Sequence, residues 1–170
     1  MQILDKTITI DPGWNTGIAV WNGTLDPSCC LIKEPAKNSK IKIETVRLNY
    51  MFEKFNSVIT DFLKHTELQL AYIEGVELWS MNPRSVASAA RGDTFTLAYL
   101  IGGYIRILQE KEICVRVVYP RGDKKKGRKM WKGQMSAKMV HSRIFRINGI
   151  SYPEHIREAV GIGFSVIGEL

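Results

Sequence analysis

Apolar positions fall into short blocks of two kinds. The first kind runs for five to seven residues between turn formers: Thr7-Ile8-Thr9-Ile10-Asp11, Thr16 to Trp21, Leu68 to Glu74 and Ile113 to Tyr119. That length and β-branched content predict strands. Asn22-Gly23 is a turn signal after the second, and Pro120 closes the last. Between Ile41 and Leu48, Ile41, Ile43, Thr45 and Arg47 alternate with Lys42, Glu44, Val46 and Leu48, which predicts a third strand in chain order. Cys29 to Lys40 reads as a loop.

The second kind has helical spacing. Met51, Phe55, Val58, Ile59, Phe62 and Leu63 mark a helix over Tyr50 to Lys64. Asn82-Pro83 is a helix start, with Asn as cap and Pro first inside, and the helix runs to about Glu112. Gly92, Gly102 and Gly103 interrupt it, each at about 1 kcal/mol relative to Ala, and so point to close packing of another backbone, within the domain or across a dimer. Ser136 to Ile147 reads as helical until Asn148-Gly149. A last helix opens at Ser151 or Tyr152, with Pro153 near its first position. The order β-β-β-α-β-α-β-α-α implies an α/β fold: a mixed sheet, antiparallel at its start, with helices on its faces.

A chain of 170 residues fits one domain, 1–170, with a sizeable core. The uncharged stretch Ala159 to Gly168 is too short to span a bilayer, and no signal peptide is expected at the N-terminus. Cys29, Cys30 and Cys114 lack zinc spacing and are read as free thiols of a reducing cytoplasm. Charge changes the picture more. Of the net +7, the segment Arg121 to Arg146 alone carries ten Lys/Arg against Asp123, a net of +9, which leaves −2 for the rest. That concentration suits a polyanion-binding surface, though a solvated loop is the plain alternative.

Three acids stand at places where a sheet could gather them. Asp11 closes the first strand ahead of Pro12-Gly13, Glu74 closes an apolar strand, and Glu158 lies on the last helix. Carboxylates converging on one sheet edge hold divalent metal against a phosphodiester, and two ions about 3.5–4 Å apart can activate water and stabilise the leaving oxygen. The plain reading makes Asp11 a turn-forming acid and leaves Glu77 as a rival to Glu74. His155, three residues before Glu158, shares its helix face; it is a ligand, a proton shuttle or an exposed first-turn histidine.

Several segments together resemble RuvC-type Holliday-junction resolvases of the RNase H-like superfamily. They are Asp11-Pro12-Gly13 with Thr16-Gly17, Ile73-Glu74, the acidic last helix, Gly92-Asp93-Thr94-Phe95 through Leu100-Ile101-Gly102-Gly103, and Trp131-Lys132-Gly133-Gln134 followed by Lys138. They look most like the short RuvC-like proteins of bacteriophages. The resemblance implies an RNase H-like mixed five-stranded sheet with its first three strands antiparallel and helices on both faces. It implies a dimeric, metal-dependent endonuclease that cuts branched DNA by paired nicks with two Mg²⁺ or Mn²⁺ ions, in the cytoplasm of a bacterial or phage-infected cell. The family's acids fall on Asp11 and Glu74, and its last-helix pair on His155 and Glu158, where two aspartates are commoner.

The resemblance also matches Lys132 and Lys138 to substrate-contacting lysines, with Lys132 near the scissile phosphate. Lys124, Lys125, Lys126, Arg128 and Lys129 would add phosphate contacts. Trp131 and Trp79 either stack on unpaired bases or pack under their loops, and Ser80, Asn82 and Arg84 reach for backbone. Competing readings are a branched-DNA-binding protein with a degenerate metal site, and an RNA-processing nuclease of the same superfamily. An ATPase fragment of the actin or sugar-kinase type is disfavoured, because 170 residues leave little room for its duplicated domain.

Overall fold

The structure is a computed structural model that describes residues 4–24, 26–35, 44–76, 93–119, 146–147 and 150–166. β1 (Thr7–Asp11) turns through residues 12–15 into β2 (Thr16–Trp21), and the two pair antiparallel with Asp11 opposite Gly17. β3 (Ser28–Ile32) continues the antiparallel run on β2. β4 (Leu70–Glu74) pairs parallel with β1, and β5 (Cys114–Val118) parallel with β4. The sheet order is therefore β3-β2-β1-β4-β5. Short β6 (Arg146–Ile147) and β7 (Ile150–Ser151) form a separate antiparallel pair. Among the described residues three helices accompany them: α1 (Glu44–Leu63), α2 (Asp93–Glu110) and α3 (Glu154–Val166).

Strand alternation divides the interior into two layers. Ile8, Ile10, Ile18, Val20, Ile32, Ala71 and Ile73 face α1 and α2, where they meet Met51, Phe55, Ile59, Leu100, Tyr104 and Leu108. The intervening residues Ala19 and Trp21, with Cys29, Leu31 and Tyr72, face α3 through Ile156, Ala159, Val160 and Ile162. Thr7, Thr9 and Asp11 alternate with the isoleucines of β1 and are buried with them. Burial on both faces explains why β1 and β2 carry no charge other than Asp11 at the end of β1.

Glycines set how closely the layers approach. A Cβ on Gly17 would lie 2.0 Å from the backbone carbonyl oxygen of His155, and one on Gly163 would lie 2.1 Å from the Trp21 ring. The helix backbone thus rests directly on the β2 backbone at one end and on an indole at the other. Trp21 is held in turn by its Nε1–H donating to Thr9 Oγ1 at 2.9 Å and by an edge contact with Phe164. Gly103 lets α2 meet Phe52 of α1, whereas a Cβ on Gly102 would meet nothing within 4 Å.

Three sequence expectations are corrected. Ile41 to Leu48 is not the third strand: Glu44 opens α1, and Leu48, Met51, Phe55 and Ile59 form one buried stripe that outweighs the short alternation. The third strand lies at Ser28–Ile32, inside the supposed loop, as an edge strand with one pairing partner and a half-buried pattern. Arg146–Ile147, expected at the end of a helix, pairs with Ile150–Ser151, so the last helix starts at Glu154 rather than at Ser151 or Tyr152. Pro153 sits just outside it and its carbonyl accepts from Arg157 N–H at 3.1 Å. Residues 77–92, including Asn82-Pro83 and Gly92, and the basic stretch 120–145 lie outside the described residues.

Cys29, Cys30 and Cys114 are free thiols, and burial pushes the Cys29 thiol up to about 12. Among the described residues no helix is long and apolar enough to cross a membrane.

The glycine contacts yield a paired expectation. Gly17→Ala forces α3 off the sheet and lowers stability by roughly 2–3 kcal/mol. Gly102→Ala, with open space around the added methyl, changes stability by about 0 to +1 kcal/mol. Urea denaturation of both variants checks this, and equal loss in the two would contradict the close approach at Gly17.

Candidate metal centre

The parallel register sets Ile10 beside Ile73. One residue further along each strand stand Asp11 and Glu74, where the strands end and their next side chains turn to the α3 face. The Gly17 contact then brings the first turn of α3 down onto this end of the sheet. Glu158, one turn along, points inward with Ala159 and Ile162 rather than to solvent. One carboxylate oxygen each from Asp11, Glu74 and Glu158 lies within 4.8 Å of the others. Asp11 is 5% exposed and Glu158 7%, and Glu74 is half-buried with its Oε2 withdrawn from water.

Three carboxylates gathered at a largely buried site repel one another, and a cation bound between them would offset that repulsion. An all-oxygen donor set of this kind fits a hard divalent ion, Mg²⁺ or Mn²⁺, and not a soft one. The residues present therefore suit the ions that the sequence implied.

His155, in the first turn of the same helix as Glu158, also meets Asp11. Its Nδ1 lies 2.7 Å from Asp11 Oδ2, and its ring is 39% exposed. The hydrogen bond to Asp11, helped by the negative charges of Asp11, Glu158 and Glu154, raises the imidazole above its ordinary value against the opposing effect of burial. With Nδ1 committed to Asp11, Nε2 is the ring nitrogen left for other chemistry.

The turn after Asp11 is buttressed on the opposite face of the sheet. Trp14 lies under the Arg47 guanidinium, 4.0 Å from ring centroid to Cζ, and Arg47 is tied to Glu34 at 2.6 Å. A cavity of about 300 Å³ opens there between Pro12, Trp14, Arg47, Thr96 and Leu100. The sequence assigned no role at the site to Trp14, Arg47 or Tyr104, and to Thr16 only a place in the motif after Asp11. Thr16 carried a signal, because a hydroxyl at the start of an apolar strand must find a partner inside.

Asp11, Glu74 and Glu158 are thus brought together, with His155 against the first of them. Lys124, Lys125, Lys126, Arg128, Lys129, Trp131, Lys132, Lys138, Trp79, Ser80, Asn82, Arg84 and Glu77 lie outside the described residues.

A five-stranded mixed sheet in this order, helices on both faces and an acid cluster at the end of its first strand define an RNase H-like fold. Solved structures agree. RuvC of T. thermophilus in complex with a Holliday junction substrate matches with a TM-score of 0.58 at 14% identity, over 96% of each chain. A second Thermus thermophilus RuvC structure gives 0.57 at 17% identity, again over 96% of each. The Fowlpox virus resolvase, solved with substrate Holliday junction DNA, gives 0.50 at 15% identity over 96% of this chain and 99% of that one. At these identities the likeness establishes the fold. No protein-family model and no curated protein matches the sequence.

The histidine supplies a pH expectation for the metal-free protein. A group whose folded pKa is raised contributes stability that is fully present below its unfolded value near 6.5 and lost as pH rises through the folded value. The His155 ring resonances should titrate above 6.5, and in Asp11→Asn the midpoint should move back toward it. A midpoint at or below 6.5 in the wild type would contradict the pairing.

Proposed function

We propose that the protein is a metal-dependent, structure-selective DNA endonuclease that resolves Holliday junctions or other branched DNA by paired phosphodiester hydrolysis. The observation that carries this reading is the convergence of Asp11, Glu74 and Glu158 at the end of the sheet. The shared fold with two Holliday-junction-bound resolvases and the net +9 of Arg121 to Arg146 support it.

In this reading Asp11, Glu74 and Glu158 hold one or two Mg²⁺ or Mn²⁺ ions, which when bound supply Lewis acidity and an activated water. The burial of Asp11 and Glu158 keeps competing water from the donors. His155, oriented through Nδ1 by Asp11, exchanges a proton at Nε2 or completes the donor set. Lys132 offsets charge at the scissile phosphate. Lys124, Lys125, Lys126, Arg128, Lys129, Lys138 and Arg84 bind backbone phosphates, and Trp79 and Trp131 stack on bases exposed at the branch.

Paired cutting needs two such sites, and the described residues hold one acidic cluster. A second copy completes the pair, and the outer face of α2 is where it docks in this proposal. Phe95 is 71% exposed and Tyr99 67%, one helical turn apart, beside the open Gly102. Two large aromatics so bared on one helix face mark a contact surface. The binding-module alternative draws on the His155–Asp11 bond, which occupies a carboxylate oxygen that a metal would use.

Two experiments test these readings. Labelled four-way, three-way, flap and linear duplexes, with RNA counterparts, are incubated with wild type, Asp11→Asn and Glu74→Gln, with and without Mg²⁺ or Mn²⁺. Branched DNA should be cut by symmetric nicks only when metal is added. Loss of a group that merely supports a ligand already costs about 10–100-fold, so each variant should lose more than about a hundredfold. Gel shifts without cutting would favour the binding module, and preference for RNA branches the RNA-processing reading. In sedimentation, the wild type should run as a dimer and Tyr99→Glu as a monomer that leaves single nicks. A monomeric wild type that still makes paired nicks would overturn the α2 assignment.

A further inference from the structure

The turn that leaves Asp11 is anchored from beneath by a buried hydroxyl pair. Thr16, fully buried at the start of β2, has its Oγ1 2.7 Å from the Gly13 carbonyl, 3.3 Å from the Gly13 amide nitrogen and 3.0 Å from the Tyr104 hydroxyl. A threonine hydroxyl has one proton and two lone pairs. The proton goes to the Gly13 carbonyl, the shortest contact and one that can only accept. Gly13 N–H fills one lone pair, so Tyr104 must donate to the other. Every valence of the Thr16 oxygen is then used, and the direction of the Tyr104 bond is fixed.

Tyr104 is well placed to act as a fixed point. It is fully buried on α2, its ring stacks on Phe55 of α1 with centroids 3.9 Å apart and planes 15° apart, and Phe52 meets it edge-on at 6.1 Å. Burial pushes its phenol well above the ordinary value, so the proton it donates stays on the oxygen. The next residue, Gly17, faces the other way against the His155 carbonyl and pairs with Asp11. Successive residues of β2 therefore clamp the turn between both helical layers.

We propose that Tyr104 is a positioning residue of the carboxylate centre: acting through Thr16, its hydroxyl sets the path of residues 12–15 and with it the placement of the Asp11 carboxylate. Tyr104 does not reach the donors itself, and its effect passes through the backbone of Gly13. The inference rests on the proposed reading of the centre as a metal-dependent nuclease site.

Wild type, Tyr104→Phe, Thr16→Ser and Thr16→Val are compared as full chains by Mn²⁺ calorimetry without DNA, single-turnover cutting, DNA affinity and thermal melting. Tyr104→Phe keeps the stacked ring and should melt cooperatively. Its Mn²⁺ dissociation constant should rise roughly three- to tenfold and its cutting rate fall roughly tenfold, with DNA affinity unchanged. Thr16→Ser, which restores the hydroxyl, should stay within about twofold of wild type, and Thr16→Val should follow Tyr104→Phe. A Tyr104→Phe protein with wild-type Mn²⁺ affinity and cutting rate overturns the proposal; should that variant not fold, Thr16→Val decides in its place. A wild type that binds Mn²⁺ but cuts nothing overturns the nuclease reading alone, and the calorimetry still decides the positioning role. A wild type that binds no Mn²⁺ overturns both.

Discussion

The closeness of α3 to the sheet governs the rest of the structure. A side chain at residue 17 would collide with the His155 carbonyl, and one at residue 163 with the Trp21 ring. With both absent, the helix lies low enough for Glu158 to reach carboxylates on strands β1 and β4. A helix held even one methyl group higher would leave Asp11 and Glu74 as neighbours on a sheet end and Glu158 as an ordinary helix acid. The donor set depends on what two glycines omit as much as on the three acids themselves.

The pleat does the sorting. Ile8 and Ile10 belong to one layer, and Thr9 and Asp11 to the other, so a single strand supplies core to α1 and α2 and chemistry to α3. β4 repeats the device with Ala71 and Ile73 inward and Glu74 at its end. The parallel register then sets the two acids side by side without any loop having to fold over them. A donor carried on paired strands is held by the sheet's own hydrogen bonds, which suits a site requiring fixed geometry.

Much of this was legible in the sequence, for physical reasons. The first and second strands announced themselves because burial on both faces keeps charge out of them before Asp11 and through Trp21, and the fourth and fifth because β-branched and apolar residues cluster in short blocks between turn formers. Asp11 and Glu74 stood out as charges at the ends of such runs. β3 was hidden because an edge strand needs neither continuous hydrophobicity nor strong alternation, and Ser28-Cys29-Cys30-Leu31-Ile32 offers little of either. The start of α1 was misread because eight residues suffice to mimic a strand while its stripe, from Leu48 to Ile59, declares itself only over three turns. The partners of Thr16 and Thr9 were invisible, since Tyr104 and Trp21 lie 88 and 12 residues away and nothing local encodes such a meeting. The fold was therefore read more fully than the supports of the site.

The chain order of the three acids has a consequence for biosynthesis. Asp11 and Glu74 leave the ribosome early, whereas Glu158 belongs to α3, which follows every strand of the main sheet. Until α3 has been made and has settled on β2, a nascent polypeptide carries two of its carboxylates and lacks the third. The three-carboxylate geometry is thereby completed last, after the whole five-stranded sheet has been synthesised.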